Sequence, residues 1–325
     1  MNILFVTDPL ASLDASIDAS VGMMLATQEL DSAVWVCLPE DLSVVAGRVL
    51  ATARRIHLRP VERGTDHRWS VEPQWYEEVD HRVLDVVRDI DLVQLRIDPP
   101  VTARYLHATY LLDLVEAGGV RVVNRPDGIR AFHEKLAALH YPDLCPRTLV
   151  STDPAEVRRF VARHGTAVVK PVDGFAGIDV WLVNDDQSAT ATLESATRGG
   201  SRHVIAQEYL AEVEGGNKRL FVLDGEIIGA VVRRPSAEDF RIGPPVASAE
   251  VDDQDLLIVA TLAPSLVRCG IALAGLDVIA GRLIEVNVTC PGGMHKTDAL
   301  LGTDLSGAIT RRLLQPIHQK GRRSA

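Results

Sequence analysis

Leu276-Asp277-Val278-Ile279-Ala280-Gly281-Arg282-Leu283-Ile284-Glu285-Val286-Asn287 reads as two short strands joined by a turn centred on Gly281. A three-residue turn over 280–282 would set Asp277 opposite Glu285, with both side chains on one face. Asn287 lies two residues beyond Glu285, so the period of a strand puts it on that face too. Three oxygen-bearing side chains then converge among Leu, Val and Ile. Carboxylates in apolar company are costly to bury without a counter-charge. Magnesium or manganese carrying bound phosphates is the natural partner of such a set. The plainer alternative is a sheet with one wetted face, on which Asp277, Glu285 and Asn287 simply meet water.

Three other stretches carry chemistry-bearing residues. Val168-Val169-Lys170-Pro171-Val172-Asp173-Gly174-Phe175-Ala176-Gly177 is a strand that ends on a lysine and runs into a glycine-bearing turn. Glycines let backbone N–H groups approach anionic oxygens, and lysine adds a compact positive charge. Its spacing is neither that of a P-loop nor that of a Rossmann turn, and an ordinary hairpin loop with a surface lysine is the alternative. Ile205-Ala206-Gln207-Glu208-Tyr209-Leu210 is an extended segment able to present its backbone to a purine edge, or a plain connection. Arg96-Ile97-Asp98-Pro99-Pro100 closes a strand of an α/β region. Open α/β sheets bind ligands beyond such strand ends, where an arginine can clamp a carboxylate. A surface arginine beside a Pro-Pro turn is the alternative.

The first third alternates. Strands are expected over 2–6, 33–38, 90–95 and 120–123, and helices over 16–30 and 106–117. This pattern argues for an open, mostly parallel α/β sheet. The polar segment 49–75 fits either a hairpin or a loop. Asn124-Arg125-Pro126-Asp127-Gly128 is dense in turn formers and marks a domain boundary. Beyond it, helices are expected over 129–139, 154–164, 188–198 and 253–269. Strands are expected over 148–150, 167–170, 179–183, 204–207, 219–223, 226–232, 276–279 and 283–288. The expected division is an N-terminal α/β domain over 1–124 and a second unit over 125–325. The second unit splits into a small subdomain at about 140–204 and a β-rich one at about 205–325.

The chain has 325 residues with 34 basic and 44 acidic side chains, a net charge of −10, and is 46% apolar and 24% charged. That composition excludes a disordered, collagen-like or small disulfide-scaffold protein. The acidic balance argues against nucleic acid and anionic membranes as partners. No apolar run approaches the roughly 18 residues of a membrane span, and the opening MNILFVTDP lacks the basic start of a signal peptide. Cys37, Cys145, Cys269 and Cys290 are widely separated and read as reduced thiols of a cytoplasmic protein. Only five basic residues are lysines: Lys135, Lys170, Lys218, Lys296 and Lys320.

Taken in order, these motifs resemble the ATP-grasp superfamily, and the chain is similar to the bacterial glutathione synthetases. The resemblance rests on Asp8-Pro9, Asp18-Ala19-Ser20, Arg96-x-Asp98-Pro99-Pro100, Ala108-Thr109-Tyr110, Val123-Asn124-x-Pro126 and Glu134-Lys135-Leu136. It continues through Lys170-Pro171-x-Asp173-Gly174, Ala206-Gln207-x-Tyr209-Leu210, Lys218-Arg219, Gly275-Leu276-Asp277 and Glu285-Val286-Asn287-Val288-Thr289. It implies an ATP-grasp fold: an N-terminal Rossmann-like domain, a small mobile lid and a β-rich C-terminal part, with ATP gripped between the last two. Lys135, Lys170 and Gly174 are then expected at the ATP phosphates, with Asn217 and Lys218 also on the nucleotide. Gln207, Glu208, Tyr209 and Leu210 are expected around adenine. Asp277, Glu285 and Asn287 would hold two Mg²⁺ ions, with Mn²⁺ as a substitute. Arg219, Arg233 and Arg241 are expected at the transferring phosphate and acyl phosphate. Ser20, Arg96, Asn287 and Thr289 are expected at the substrates.

The implied reaction phosphorylates a carboxylate and lets an amine attack the acyl phosphate. For glutathione the substrates are γ-glutamylcysteine and glycine, and the resemblance also implies a homo-oligomer. The family's pattern is kept less well at the acceptor end. Ser16-Ile17 replaces a basic pair, and Asn217 replaces an acidic residue on the ribose side. Ser236-Ala237-Glu238-Asp239-Phe240-Arg241-Ile242-Gly243-Pro244-Pro245 replaces a glycine-rich flap, with Arg241 in place of the flap's arginine. Cys290-Pro291-Gly292-Gly293-Met294 replaces a Ser-Pro-Thr run, and His295-Lys296 comes directly after it. Two other readings therefore stand beside glutathione synthesis. One is a ligase of the same chemistry acting on another acid or amine, as in natural-product assembly. The other is a nucleotide-binding protein without ligase activity.

Overall fold

The N-terminal sheet is built on β1 (Asn2–Thr7), whose residues from Ile3 onward are all buried, as in a strand covered on both faces. A computed structural model describes residues 1–63, 68–174, 177–236 and 239–315. Phe175, Ala176, Ala237, Glu238 and Lys320 of the motifs above lie outside the described residues. The sheet continues with β2 (Ala33–Cys37), β3 (Leu42–Val45), β4 (Arg48–Leu58), a short ribbon of β5 (Glu62–Arg63) and β6 (Trp69–Ser70) set apart from it, then β7 (Tyr76–Asp85), β8 (Leu92–Arg96) and β9 (Arg121–Val123). The order β2-β1-β8-β9 is parallel. The chain therefore reverses its winding between β1 and β8, the place where such sheets bind ligands. Within the ambiguous 49–75 segment, β4 pairs antiparallel with β2, β3 and β7.

Helix α1 (Ala19–Glu29) starts later than the apolar pattern predicts. The Asp18 carboxylate accepts from the Ser20 and Val21 N–H groups at 2.7 and 3.4 Å and caps it there. α2 (Val86–Asp89) is a single turn, and α3 (Ala103–Ala117) starts at a Thr102 cap. The expected helix 129–139 is broken into α4 (Pro126–Ala131) and a 3₁₀ turn, Ala137–His140.

The second sheet holds β10 (Thr148–Ser151), β11 (Thr166–Pro171), β12 (Trp181–Asn184) and β13 (Val204–Glu208) in the antiparallel order β10-β13-β11-β12. Together with α5 (Pro154–His164) and α6 (Ala189–Thr197) it encloses a core of its own around Val157, Val161, Val169, Leu193 and Ala206. β13 sits inside this sheet, so the small unit runs through Glu208, past the expected limit at 204.

The third sheet has β14 (Asn217–Leu223), β15 (Glu226–Ser236), β16 (Asp239–Ser248), β17 (Leu273–Ile279) and β18 (Arg282–Asn287), in the antiparallel order β16-β15-β14-β17-β18. Helices α7 (Asp253–Arg268), α8 (Met294–Leu301) and α9 (Leu305–Leu314) complete the described chain. Of the replaced flap, residues 236 and 239–245 lie at the outer ends of β15 and β16, which pair antiparallel. Sequence reading misses β16 because Gly243-Pro244-Pro245 lacks a strand signature. An edge strand tolerates proline, which donates nothing to the ladder, and β16 is an edge strand. Asp277 does face Glu285, by a different route from the one expected. The turn is two residues, Ala280 and Gly281, at φ 49° and 70°, and Ile279 pairs with Arg282. Ile284 is then an unpaired bulge that restores the Asp277–Glu285 register.

The first and third sheets share a core. Leu95, Tyr105, Leu112 and Ile129 pack in one cluster with Leu220, Ile258, Leu276 and Val286. Buried Asn124 joins the two sheets: its Nδ2 donates to the Leu273 and Val288 carbonyls, both at 2.7 Å, and its Oδ1 accepts from Leu273 N–H at 2.9 Å. Asn124→Ala strands three buried backbone groups, and we predict a loss of about 2–4 kcal/mol in urea unfolding. A change within about 0.5 kcal/mol, the usual scatter of neutral surface substitutions, would contradict this role.

Candidate functional site

Asp277 on β17 lies across from Arg219 on β14. Arg219 Nε donates to Oδ1 at 2.6 Å and its Nη2 to Oδ2 at 3.1 Å, a fork that fits the carboxylate. Arg233, from β15, donates through Nη2 to Oδ1 at 2.5 Å and to Asn217 Oδ1 at 3.0 Å. Burial by itself would raise the Asp277 pKa. The two guanidiniums outweigh it and hold the carboxyl below its ordinary 3.8. Arg233 is pushed the other way, below its usual range, by burial and by Arg219. Its Nε is buried with no hydrogen-bond partner among the described residues.

Glu285 on β18 faces two ammonium groups, Lys170 Nζ at 3.9 Å and Lys135 Nζ at 4.0 Å. Lys170 ends β11 of the second sheet and is buried, which lowers its pKa; Glu285 opposes that shift and Lys135 adds to it. Lys135 Nζ also donates to the Gly174 carbonyl. Lys135 is held in place by its neighbour Glu134, whose Oε1 accepts from Val288 N–H (2.9 Å), Thr289 N–H (2.9 Å) and the Thr289 hydroxyl (2.7 Å). The Glu134 carbonyl in turn accepts from Val286 N–H at 3.0 Å. Two carboxylates, Asp277 and Glu285, thus stand among four cations, Lys135, Lys170, Arg219 and Arg233. This locally positive centre sits in a chain of net charge −10.

These groups line a cavity of about 930 Å³. Of the residues expected from sequence, the cavity is lined by Lys135, Lys170, Gly174, Gln207, Glu208, Tyr209, Leu210, Asn217, Arg219, Arg233, Arg241, Asp277, Glu285 and Asn287. All three parts of the fold reach it, since Asp98 and Pro99 lie just past the end of β8.

Residues 1–130 match the family described as prokaryotic glutathione synthetase, N-terminal domain, and residues 134–302 match prokaryotic glutathione synthetase, ATP-grasp domain. A glutathione synthetase of Thermosynechococcus vestitus is 41% identical over 316 residues, covering 95% of this chain and 98% of that protein. One from Neisseria meningitidis is 35% identical, covering 94% and 96%. The chain belongs to the prokaryotic glutathione synthetase family. In fold it is like the D-cycloserine synthetase DcsG, with a TM-score of 0.62 at 20% identity, covering 96% of this chain and all of the other. An ATP-grasp ligase PsnB in complex with its precursor peptide gives 0.61 at 20% identity, covering 96% and 95%. The fold is thus the ATP-grasp fold, as the motifs imply.

Four expected site residues do not line the cavity. Lys218 lies between Asn217 and Arg219 on β14, so strand alternation turns it to the opposite face. There its Nζ binds Asp252 at 2.9 Å and Asp255 at 2.5 Å, at the start of α7. Arg96 is buried, donating to Ser20 Oγ at 3.2 Å and to the Pro291 carbonyl at 3.0 Å. Arg96 and Ser20 therefore fasten the loop after Thr289 to the N-terminal domain. Thr289 is buried, with its hydroxyl committed to Glu134. Glu208 does line the cavity, but its carboxylate accepts from Arg147 N–H at 2.9 Å. The N–H groups of Glu208 and Tyr209 go to the Arg147 and Thr166 carbonyls, and that of Leu210 has no hydrogen-bond partner among the described residues.

Glu134, Asp98, Cys290 and Lys296 also line the cavity; the sequence gives Glu134 and Asp98 no role of their own and places Cys290 and Lys296 only in the altered loop by the acceptor site. Glu134 and Asp98 stand inside family motifs, close to the expected site residues Lys135 and Arg96. Lys296 carries the signal of being a rare lysine. No helix among the described residues is long and apolar enough to cross a membrane.

For a metal, the donor chemistry of Asp277, Glu285 and Asn287 fits a hard divalent cation: two carboxylates and an amide on adjacent strands. Among the described residues no group of three or more His, Cys, Asp or Glu side chains is placed to hold a metal by itself, and both Asp277 oxygens are already bonded to Arg219 and Arg233.

Asp277→Asn leaves Arg219 and Arg233 buried beside a neutral amide, and we predict a loss of about 3–5 kcal/mol near neutral pH. A lowered carboxyl pKa gives stability that is complete above the ordinary value and is lost as pH falls through the folded one. The gap between wild type and Asp277→Asn in urea unfolding should therefore narrow as pH drops below 3.8. A gap that stays constant on acidification through this range would contradict the assignment.

Proposed function

We propose that this chain is an ATP-dependent carboxylate–amine ligase joining γ-glutamylcysteine to glycine, with ADP and phosphate as the other products. Family membership along nearly the whole chain supports the reading. The observation that carries it is the set of four cations around Asp277 and Glu285 in one cavity between the lid and the C-terminal sheet. Such a set has no use for a neutral ligand. It matches a polyphosphate and a carboxylate on its way to an acyl phosphate.

In this reading Lys135 and Lys170 bind ATP phosphates, and the segment Gln207 to Leu210 holds adenine, with Leu210 N–H reading its edge. Asp277, Glu285 and Asn287 would hold Mg²⁺, which supplies charge neutralisation at the phosphate oxygens when bound. Arg219 and Arg233 are fixed by Asp277 and stabilise the negative charge that grows on the transferring phosphoryl group. The acyl phosphate is then attacked by the amine: the C–N bond forms, the C–O bond breaks, phosphate leaves with the bonding electrons, and the proton lost from nitrogen goes to the leaving phosphate. Closing the second sheet over the cavity keeps water from the acyl phosphate.

Incubation with ATP, Mg²⁺, γ-glutamylcysteine and glycine should yield glutathione by mass, with one phosphate per product. Lys170→Ala and Glu285→Ala should each lower kcat/KM by about 100-fold or more, the scale of losing one charge-stabilising group, with folding judged by circular dichroism. Turnover only with a different acid or amine would replace glutathione synthesis by another ligase of the same chemistry. No phosphate release with any acid–amine pair would favour a nucleotide binder.

A further inference from the structure

The cations of the cavity are almost all spoken for. Lys135 meets Gly174 and Glu285, Lys170 meets Glu285, and Arg219 and Arg233 meet Asp277. Arg241 donates to the Gly177 carbonyl at 3.4 Å. Lys296 also lines the cavity, and no hydrogen bond or ion pair holds its ammonium among the described residues. It is half-buried, and burial lowers its pKa, with Arg68 and Arg233 pushing the same way and Asp14 and Asp18 opposing. A partly desolvated ammonium beside other cations is unfavourable unless an anion completes it.

Its backbone is held firmly. His295, the residue before, is buried, with Nε2 3.1 Å from the Ala15 carbonyl. The Trp69 ring stacks on His295 at 4.9 Å between centroids and 9° between planes, and Trp69 Nε1 donates to the His295 carbonyl at 3.0 Å. On the other side, Thr297 Oγ1 donates to the Gly293 carbonyl at 2.8 Å. Asp298 accepts from the N–H groups of Leu305 and Ser306 at 2.6 and 2.9 Å. The position of Lys296 on the cavity wall is therefore fixed by its neighbours in the chain, while its head group is left to a ligand.

We infer that Lys296 is a specificity-determining residue that binds the non-reacting carboxylate of a substrate. This rests on the ligase reading. The reacting carboxylate and the phosphates belong to the cations paired with Asp277 and Glu285. Lys296 lines the same cavity as Arg233, Asp277 and Glu285, and among the described residues it makes no ion pair with either carboxylate. A compact ammonium suits a carboxylate at such a point. Two substrates offer one: the α-carboxylate of the γ-glutamyl group and the carboxylate of glycine.

The test uses the full-length protein, Lys296→Met and Lys296→Arg. In steady-state assays Lys296→Met should raise KM for one of the two carboxylate substrates at least tenfold, leave KM for ATP within twofold, and be partly rescued by Lys296→Arg. Replacing that substrate by its amide, γ-glutamyl α-amide or glycinamide, should erase the difference between wild type and Lys296→Met, which tells which carboxylate is bound. A KM change confined to ATP, or no change for either substrate, would overturn the inference. Calorimetric titration with each acid and its amide keeps this separate from turnover. A tenfold preference for one acid in wild type, lost in Lys296→Met, supports the inference whatever product is made. Equal affinity for acid and amide overturns it. Failure to form glutathione bears on the proposed function alone.

Discussion

The Arg219–Asp277–Arg233 cluster is the constraint around which the C-terminal sheet is organised. A carboxylate in the middle of β17, between Leu276 and Val278, is tolerable only if charge meets it from the neighbouring strands. Arg219 reaches it from β14 and Arg233 from β15, so the order β15-β14-β17 is written into the electrostatics as well as into the backbone ladder. The Ile284 bulge brings Glu285 opposite Asp277 and so places the second carboxylate where Lys135 and Lys170 can face it.

The two lysines come from elsewhere in the fold. Lys170 belongs to the small sheet, which has a core of its own, whereas Lys135 sits on the segment that Glu134 fastens to β18. Their shared contact with Glu285 therefore bridges two units that do not share a hydrophobic core. At 3.9 and 4.0 Å these are long ionic contacts, and they form a polar seam between the second sheet and the C-terminal sheet.

Much of this is legible in the sequence, and for stated reasons. The alternation of the first third specifies the parallel β2-β1-β8-β9 part of its sheet, and the period of two places Glu285 and Asn287 on one face, whereas Asp277 joins them only through the two-residue turn and the Ile284 bulge. The same period, applied to β14, turns Lys218 away from Asn217 and Arg219, and the structure pairs it with Asp252 and Asp255. β16 is not legible because its prolines are permitted by an edge position, and edge positions are a property of the sheet. Arg96, Ser20 and Thr289 are recognisable as polar residues near strand ends and turns, but local sequence does not reveal that their hydrogen bonds are consumed by Pro291 and Glu134.

By itself the sequence determined the kinds of element, the family motifs and the presence of acids and lysines suited to phosphate chemistry, because strand period, turn formers and side-chain charge are local. Tertiary structure alone decided which cations are balanced within the protein and which remain for a ligand. That distinction depends on distances between residues far apart in the chain, such as Arg219 and Asp277 or Lys170 and Glu285. It separates Lys218, paired at the start of α7, from Lys296, whose ammonium faces the cavity with no partner among the described residues.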